Sequence, residues 1–132
     1  MLLLNTNVWL KRYWRLPLPL ALDRLIDAEE VALSPVSALE IATKIRKGHF
    51  PGMPPLEEWL AEAMEGYSIA ALTPEIAAAA GADPWTHQDP ADRMIVHTAK
   101  SNRFTLAHTD ATIRKRTDLS QAYFKMPRAV GH

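Results

Sequence analysis

Apolar residues open the chain as an unbroken run, Leu2-Leu3-Leu4, that stops abruptly at the small polar residues Asn5-Thr6-Asn7. A short apolar run without alternation predicts a strand covered on both faces, as at the centre of a parallel sheet. Val8 to Trp14 mixes apolar and basic residues and predicts a helix, broken at Leu16-Pro17-Leu18-Pro19 because proline cannot continue the helical hydrogen-bond ladder. Ala21 to Glu29 resumes helical spacing with Leu22, Leu25 and Ile26 on one face. Val31-Ala32-Leu33 predicts a second strand, running directly into Ser34-Pro35, a serine N-cap with proline at the first helical position. The helix that follows is expected to turn Ala38, Leu39, Ala42 and Ile45 inward, with Ile41 flanking that face, and to stop at Gly48.

Pro51 to Pro55 reads as a loop, Leu56 to Met64 as an amphipathic helix and Tyr67 to Leu72 as a third strand. Thr73-Pro74-Glu75 repeats the cap-then-proline start and opens an alanine-rich, tightly packed helix ending near Gly81. After a loop over Asp83 to Gln88, Asp89-Pro90-Ala91-Asp92 starts the next helix, with Asp89 as N-cap, Asp92 at the third helical position, and Ile95, Val96 and Ala99 as its apolar face. Phe104 to Ala107 predicts a fourth strand, His108-Thr109-Asp110 a turn, Ala111 to Arg116 a short helix and Ala122 to Lys125 a fifth strand, leaving a short tail expected to fray. Strand and helix alternate throughout, which predicts a three-layer α/β/α sandwich with a mostly parallel sheet of about five strands. No internal repeat competes with one domain over residues 1–132.

Composition narrows the picture. The length of 132 residues with 48% hydrophobic content fits a single globular domain. Fifteen Lys plus Arg balance fifteen Asp plus Glu, so any polyanion partner must be met by local patches rather than by bulk charge. The absence of cysteine removes disulfides, thiolate zinc sites and thiol nucleophiles together. No apolar run approaches the ~20 residues of a membrane span, so a soluble, cytoplasmic protein without membrane contact is expected.

Four positions fall at comparable structural places: Asn5 ending the first strand, Glu40 early in a helix, Asp92 in a helix start and Asp110 just past the fourth strand. The carboxyl edge of an open α/β sheet, where strand order reverses, is where ligands bind. Carboxylates crowded there raise one another's pKa unless a cation sits among them. Oxygen ligands suit Mg²⁺ or Mn²⁺, which can support water attack on a phosphodiester without a histidine base or a thiol. Taken singly, Asp92 and Asp110 read more readily as helix caps or dipole partners than as ligands, and Glu40 as a solvated charge or ion-pair partner.

Taken together, the residues resemble the PIN-domain nucleases, and in particular the VapC-type toxins of toxin-antitoxin pairs. The resemblance rests on Leu3 to Leu10, Ser34 to Ile41, Gln88-Asp89-Pro90-Ala91-Asp92-Arg93-Met94-Ile95 and Leu106 to Asp110, the Asp-Pro-x-Asp-Arg block being the most specific. It implies a Mg²⁺- or Mn²⁺-dependent ribonuclease whose acidic quartet maps onto Asn5, Glu40, Asp92 and Asp110. It further implies a VapB-like antitoxin partner, an RNA substrate and a homodimer. Asp89 is then the cap and an accessory acid, and the hydroxyls of Thr6 and Thr109 orient waters or acids. Arg93 reads as a phosphate contact or, by preference, as a structural partner. The chain departs from the family pattern at Asn5, where the family has Asp. An amide offers a neutral oxygen and bridges ions poorly, so weak metal binding and slow or absent cutting are expected. A nuclease-dead module that titrates antitoxin or RNA is the alternative. A phosphoacceptor receiver domain is weaker still, for want of a nucleophilic Asp at position 5.

Three basic clusters, Lys11/Arg12/Arg15, Lys44/Arg46/Lys47 and Arg114/Lys115/Arg116, offer phosphate contacts or ordinary solvated faces. The five histidines show no paired spacing on one helix face, so a zinc site is not expected. Trp9, Trp14, Trp59 and Trp85 read first as packing residues.

Overall fold

Leu2, Leu3 and Leu4 form β1 (Leu2–Leu4), and all three are at most 4% exposed, as a strand covered on both faces requires. In the computed structural model, which describes residues 1–126, β1 is followed by α1 (Thr6–Tyr13), α2 (Leu20–Ala28), β2 (Val31–Leu33), α3 (Pro35–Arg46) and α4 (Leu56–Met64). The chain continues through β3 (Ser68–Ile69), α5 (Pro74–Ala82), α6 (Pro90–Asn102), β4 (Thr105–His108), α7 (Ala111–Arg114) and β5 (Gln121–Tyr123). The expected tail beyond Lys125 falls largely on residues 127–132, outside the described residues.

The five strands pair in the order β3-β2-β1-β4-β5, all parallel. The chain lays down β1, β2 and β3 toward one edge and then crosses to the other side of β1 for β4. The reversal lies between β1 and β4, whose register pairs Leu2 with Thr105, Leu3 with Leu106 and Leu4 with Ala107. Asn5 continues that pairing by donating its N–H to the Ala107 carbonyl at 3.0 Å. The crevice that a doubly wound sheet opens at its switch point is therefore flanked by the residues following β1 and β4.

Side chains alternate across the sheet and divide the core in two. Leu2, Leu4, Leu33 and Ala107 face α1, α2 and α4, where they meet Val8, Trp9, Leu22, Ile26, Trp59 and Ala63. Leu3, Ala32 and Leu106 face α6 and α7, where they meet Ile95, Val96, Ala99 and Ile113. Trp9 and Trp59 are fully buried with ring centroids 6.3 Å apart, and Trp9 donates its indole N–H to the Ala63 carbonyl at 2.9 Å. This is the expected three-layer sandwich.

Several expected boundaries shift. The first helix starts at Thr6, not Val8, because Asn5 is its N-cap, accepting the Thr6 N–H on Oδ1 at 3.0 Å. The third strand shrinks from Tyr67–Leu72 to Ser68–Ile69, an edge strand with Ile69 and Leu72 exposed, since in that stretch Ala70 alone is buried and Tyr67 packs only partly against the core. The fourth strand runs on to His108, and the fifth spans Gln121–Tyr123 instead of Ala122 to Lys125. In α3 the inward residues are Val36, Ser37 and Ile41, while Leu39 is 63% exposed. Of the expected inward face of Ala38, Leu39, Ala42 and Ile45, Ile45 packs against the core but Leu39 faces out, because α3 turns Ser37 toward the start of α1. The alanine-rich α5 packs closely against α6 through one face, with Ile76 and Ala80 buried, while Ala77, Ala78 and Ala79 lie on the surface.

Candidate active site

Four short segments carry the polar residues of the crevice, and each is fixed by local hydrogen bonds. At the end of β1, Asn5 is only 5% exposed and caps α1. The next residue, Thr6, is buried; its hydroxyl donates to Glu40 Oε1 and lies 2.8 Å from Ser37 Oγ. A hydroxyl has one proton, so Thr6 gives it to Glu40 and receives that of Ser37. This chain ties the start of α1 to the second turn of α3. Burial, together with the charges of Asp92 and Asp89, holds the Glu40 carboxyl above its ordinary value, against the Thr6 hydrogen bond and the nearby Lys44 ammonium.

Asp89 caps α6 as expected, accepting the Ala91 N–H at 2.9 Å and the Asp92 N–H at 3.4 Å. Asp92, 14% exposed, turns into the crevice, where its Oδ2 lies 2.8 Å from His87 Nε2. Burial raises the Asp92 carboxyl, and Asp89 and Asp110 add to the rise against the pull of His87. Asp110 follows β4 and caps α7, accepting the Thr112 N–H at 2.7 Å. Its own N–H donates to Nδ1 of His108 at 3.1 Å, so the fully buried His108 ring carries its proton on Nε2, which faces Gln121 Oε1 at 2.7 Å. Burial also depresses the His108 pKa, so the ring stays neutral and fixes the turn that presents Asp110. Thr109 is half-buried beside it and makes no side-chain hydrogen bond among the described residues.

Of the expected quartet, Asp92 and Asp110 come directly together, Glu40 lies near enough for the charge of Asp92 to act on it, and Asn5 stands at the same sheet edge beside Ala107. His87 was not foreseen. His87, Asp92 and Asp110 each offer one ligand atom, all within 4.8 Å of one another. His87 sits in a loop with no periodicity, but its place immediately before the Gln88-Asp89-Pro90-Ala91-Asp92 block is a signal that was available. The donor set fits a divalent cation: the Asp92 and Asp110 carboxylates repel each other, burial resists the ionisation of Asp92, and an imidazole lies beside them.

Arg93 does not reach the crevice. Its guanidinium donates to the carbonyls of Ala80 (2.9 Å), Trp85 (2.8 Å), His87 (2.8 Å) and Asp83, so it clasps the loop between α5 and α6. Asp83 in turn binds His97 at 2.6 Å and Arg116 at 2.8 Å, and the Arg116 guanidinium lies 4.6 Å above the Trp85 ring. The third basic cluster is thereby partly consumed in structure, as is the first, where Arg12 pairs with Asp23 and Asp27. Lys44 and Lys47 instead line an open groove with Leu39, Glu40, Asp89 and Met94.

The PIN domain family model matches residues 2–119. Ribonuclease VapC22 of Mycobacterium tuberculosis is 31% identical over 99 residues, covering 74% of this chain and 76% of that protein. The fold is similar to that in the crystal structure of VapBC2 from Rickettsia felis bound to a promoter DNA fragment, with TM-score 0.71, 14% identity, and 94% and 98% of the two chains covered. FitAcB from Neisseria gonorrhoeae superposes with TM-score 0.65 at 20% identity over 92% and 96%. An all-parallel sheet with acids gathered at its switch point, a family model spanning most of the chain and a ribonuclease relative together assign it: the chain belongs to the PIN-domain family, among the VapC-type ribonucleases.

Proposed function

We propose that the protein is a metal-dependent endoribonuclease toxin that hydrolyses RNA phosphodiester bonds and is neutralised by a cognate antitoxin. The observation that carries this reading is the meeting of Asp92 and Asp110 at the sheet's switch point, in a chain of this family. Asp92 and Asp110, with Glu40 and the Asn5 amide, would hold Mg²⁺ or Mn²⁺. Such an ion, when bound, makes a water nucleophilic at neutral pH and offsets charge on the leaving oxygen. The chain's own part is to aim acceptor oxygens. His108 sets the Asp110 turn, Asp89 sets the first turn of α6, and the Thr6 hydroxyl keeps one Glu40 oxygen occupied so that the other is free to accept. Thr109 is placed to orient a water at Asp110. Lys44 and Lys47 supply phosphate contacts along the groove beside Glu40.

Asn5 tempers the reading. Where the family pattern has Asp, its Oδ1 is neutral and already accepts the Thr6 N–H, so it adds no charge to hold an ion. The chain as it stands is therefore an impaired nuclease. The second reading, a nuclease-dead module that occupies antitoxin or RNA, rests on the same residue. An antitoxin partner is supported by the resemblance and by structural neighbours that include a toxin-antitoxin complex from Klebsiella pneumoniae, and a homodimer by the resemblance alone. In an Asn5→Asp background, alanine at Glu40, Asp92 or Asp110 is expected to abolish RNA cleavage. Full rate in any one variant removes that residue from the site.

A further inference from the structure

His87 is the crevice residue that an all-oxygen metal site leaves without a task. It comes from the loop between α5 and α6, yet that loop is held firmly: Arg93 binds the carbonyls of Ala80, Asp83, Trp85 and His87 itself. The Trp85 ring packs 4.9 Å from the His87 ring and is itself covered by the Arg116 guanidinium, 4.6 Å from its centroid. The imidazole is thus a positioned group, one quarter exposed, with Nε2 turned inward to Asp92.

We infer that His87 is a nitrogen ligand of the metal site, joining Asp92 and Asp110, and that it biases the site toward a divalent first-row transition ion over Mg²⁺. The inference rests on the metal-dependent reading above. Neighbouring ligand atoms on one six-coordinate ion lie about 3 Å apart and opposite ones about 4 Å; the 2.8 Å His87–Asp92 separation is of the first kind, and Asp110, within 4.8 Å of both, needs less than about 1 Å of side-chain movement to complete the set. Without an ion, the Nε2 proton bridges to the carboxylate; with one, the neutral ring ligates through Nε2 and carries its proton on Nδ1. Mg²⁺ prefers oxygen and sheds its waters reluctantly, whereas imidazole suits the later divalent ions. A neutral nitrogen donor also strengthens a site in which Asn5 has withdrawn a charge without adding repulsion between carboxylates.

The test is Mn²⁺ and Mg²⁺ binding by calorimetry, with pulsed electron paramagnetic resonance of bound Mn²⁺, on the full chain, its Asn5→Asp variant and His87→Ala and His87→Gln in both. The expected result is a histidine ¹⁴N coupling to Mn²⁺ that disappears in both His87 variants, with Mn²⁺ affinity falling about tenfold or more and Mg²⁺ affinity changing less than about threefold. The coupling is read on the unsubstituted protein, so it does not depend on a variant folding. Mn²⁺ binding without nitrogen coupling, or coupling that persists without His87, overturns this inference and leaves the carboxylate site standing. Failure of both the chain and Asn5→Asp to bind either ion overturns the metal reading itself.

Discussion

Two carboxylates of the crevice, Glu40 and Asp92, carry an ionisation penalty that a bound cation would relieve. Glu40 and Asp92 are held above their ordinary values by burial and by neighbouring acids. A carboxyl whose folded-state pKa is raised contributes stability that is fully present below its unfolded value and lost as pH rises through the folded value. Glu40→Gln is therefore expected to raise the Tm of EDTA-treated protein at neutral pH, with the difference vanishing toward pH 4, while RNA cleavage falls. Unchanged or lowered Tm at neutral pH would mean that the acids are not crowded. This is the behaviour of a site that gives up stability for function. The positions of Asp92, in the first turn of α6, and Asp110, between β4 and α7, were legible from the cap and turn signals around them. His87 was missed: its one sequence signal is its place immediately before the Gln88-to-Asp92 block, and its approach to Asp92 is set by Arg93 reaching back to four carbonyls. For Arg93 itself, sequence spacing left two roles open, and its contacts are all structural.

Capping chemistry made the helices readable. Ser34, Thr73 and Asp89 each stand before a proline and each accepts a backbone N–H of the first turn, so three starts were visible to the residue. Asp89→Ala is expected to cost about 1 kcal/mol, measurable by urea denaturation. A loss beyond that would show a role for the carboxylate past the cap. The start of α1 was misread because Asn5 was taken only as the end of a strand, whereas it also caps the helix. The α3 face was misread because hydropathy favours Leu39 over Ser37, and the hydroxyl chain through Thr6 reverses that order. The end of α6 is unusual: Arg103 caps it at φ 57°, a left-handed conformation that a side chain resists and glycine accepts. Arg103→Gly should stabilise the protein by up to about 1 kcal/mol. Destabilisation instead would assign the Arg103 side chain a contact that outweighs the strain.

Across the whole molecule, a fully buried β1 holds the two ends of the crevice in register, and alternation of Leu2, Leu3 and Leu4 was enough to specify two core faces. Leu3→Ala, at the middle of that strand, is expected to cost 2–5 kcal/mol, as buried leucine truncations do at about this scale. The short edge strands β3 and β5 were harder to bound, because few side chains there enter the core. Away from the crevice, Asp83 joins the α5–α6 loop to His97 and Arg116. Burial opposes its ionisation, but hydrogen bonds from His97, the Trp85 N–H and Arg116 prevail and lower its pKa from 3.8 to about 2. Its stabilisation is present above 3.8 and lost as pH falls toward 2, so the stability gap between the protein and Asp83→Asn should close in that window. The gap is on the order of 1 kcal/mol, since water nearby screens the group. Among the described residues no helix is long and apolar enough to cross a membrane. The chain, of zero formal net charge, gathers Glu40, Asp92 and Asp110 in one crevice, and the metal site proposed there is one that a single amide would weaken. The most direct measurement is cleavage of a mixed-sequence fluorogenic RNA in Mn²⁺, Mg²⁺ or EDTA, run in parallel on this chain and on Asn5→Asp. The account predicts that Asn5→Asp cuts at least about tenfold faster, a difference of about 1.4 kcal/mol in barrier, and that EDTA stops it. Absence of cutting by both proteins in either metal, or cutting that survives EDTA, would contradict it.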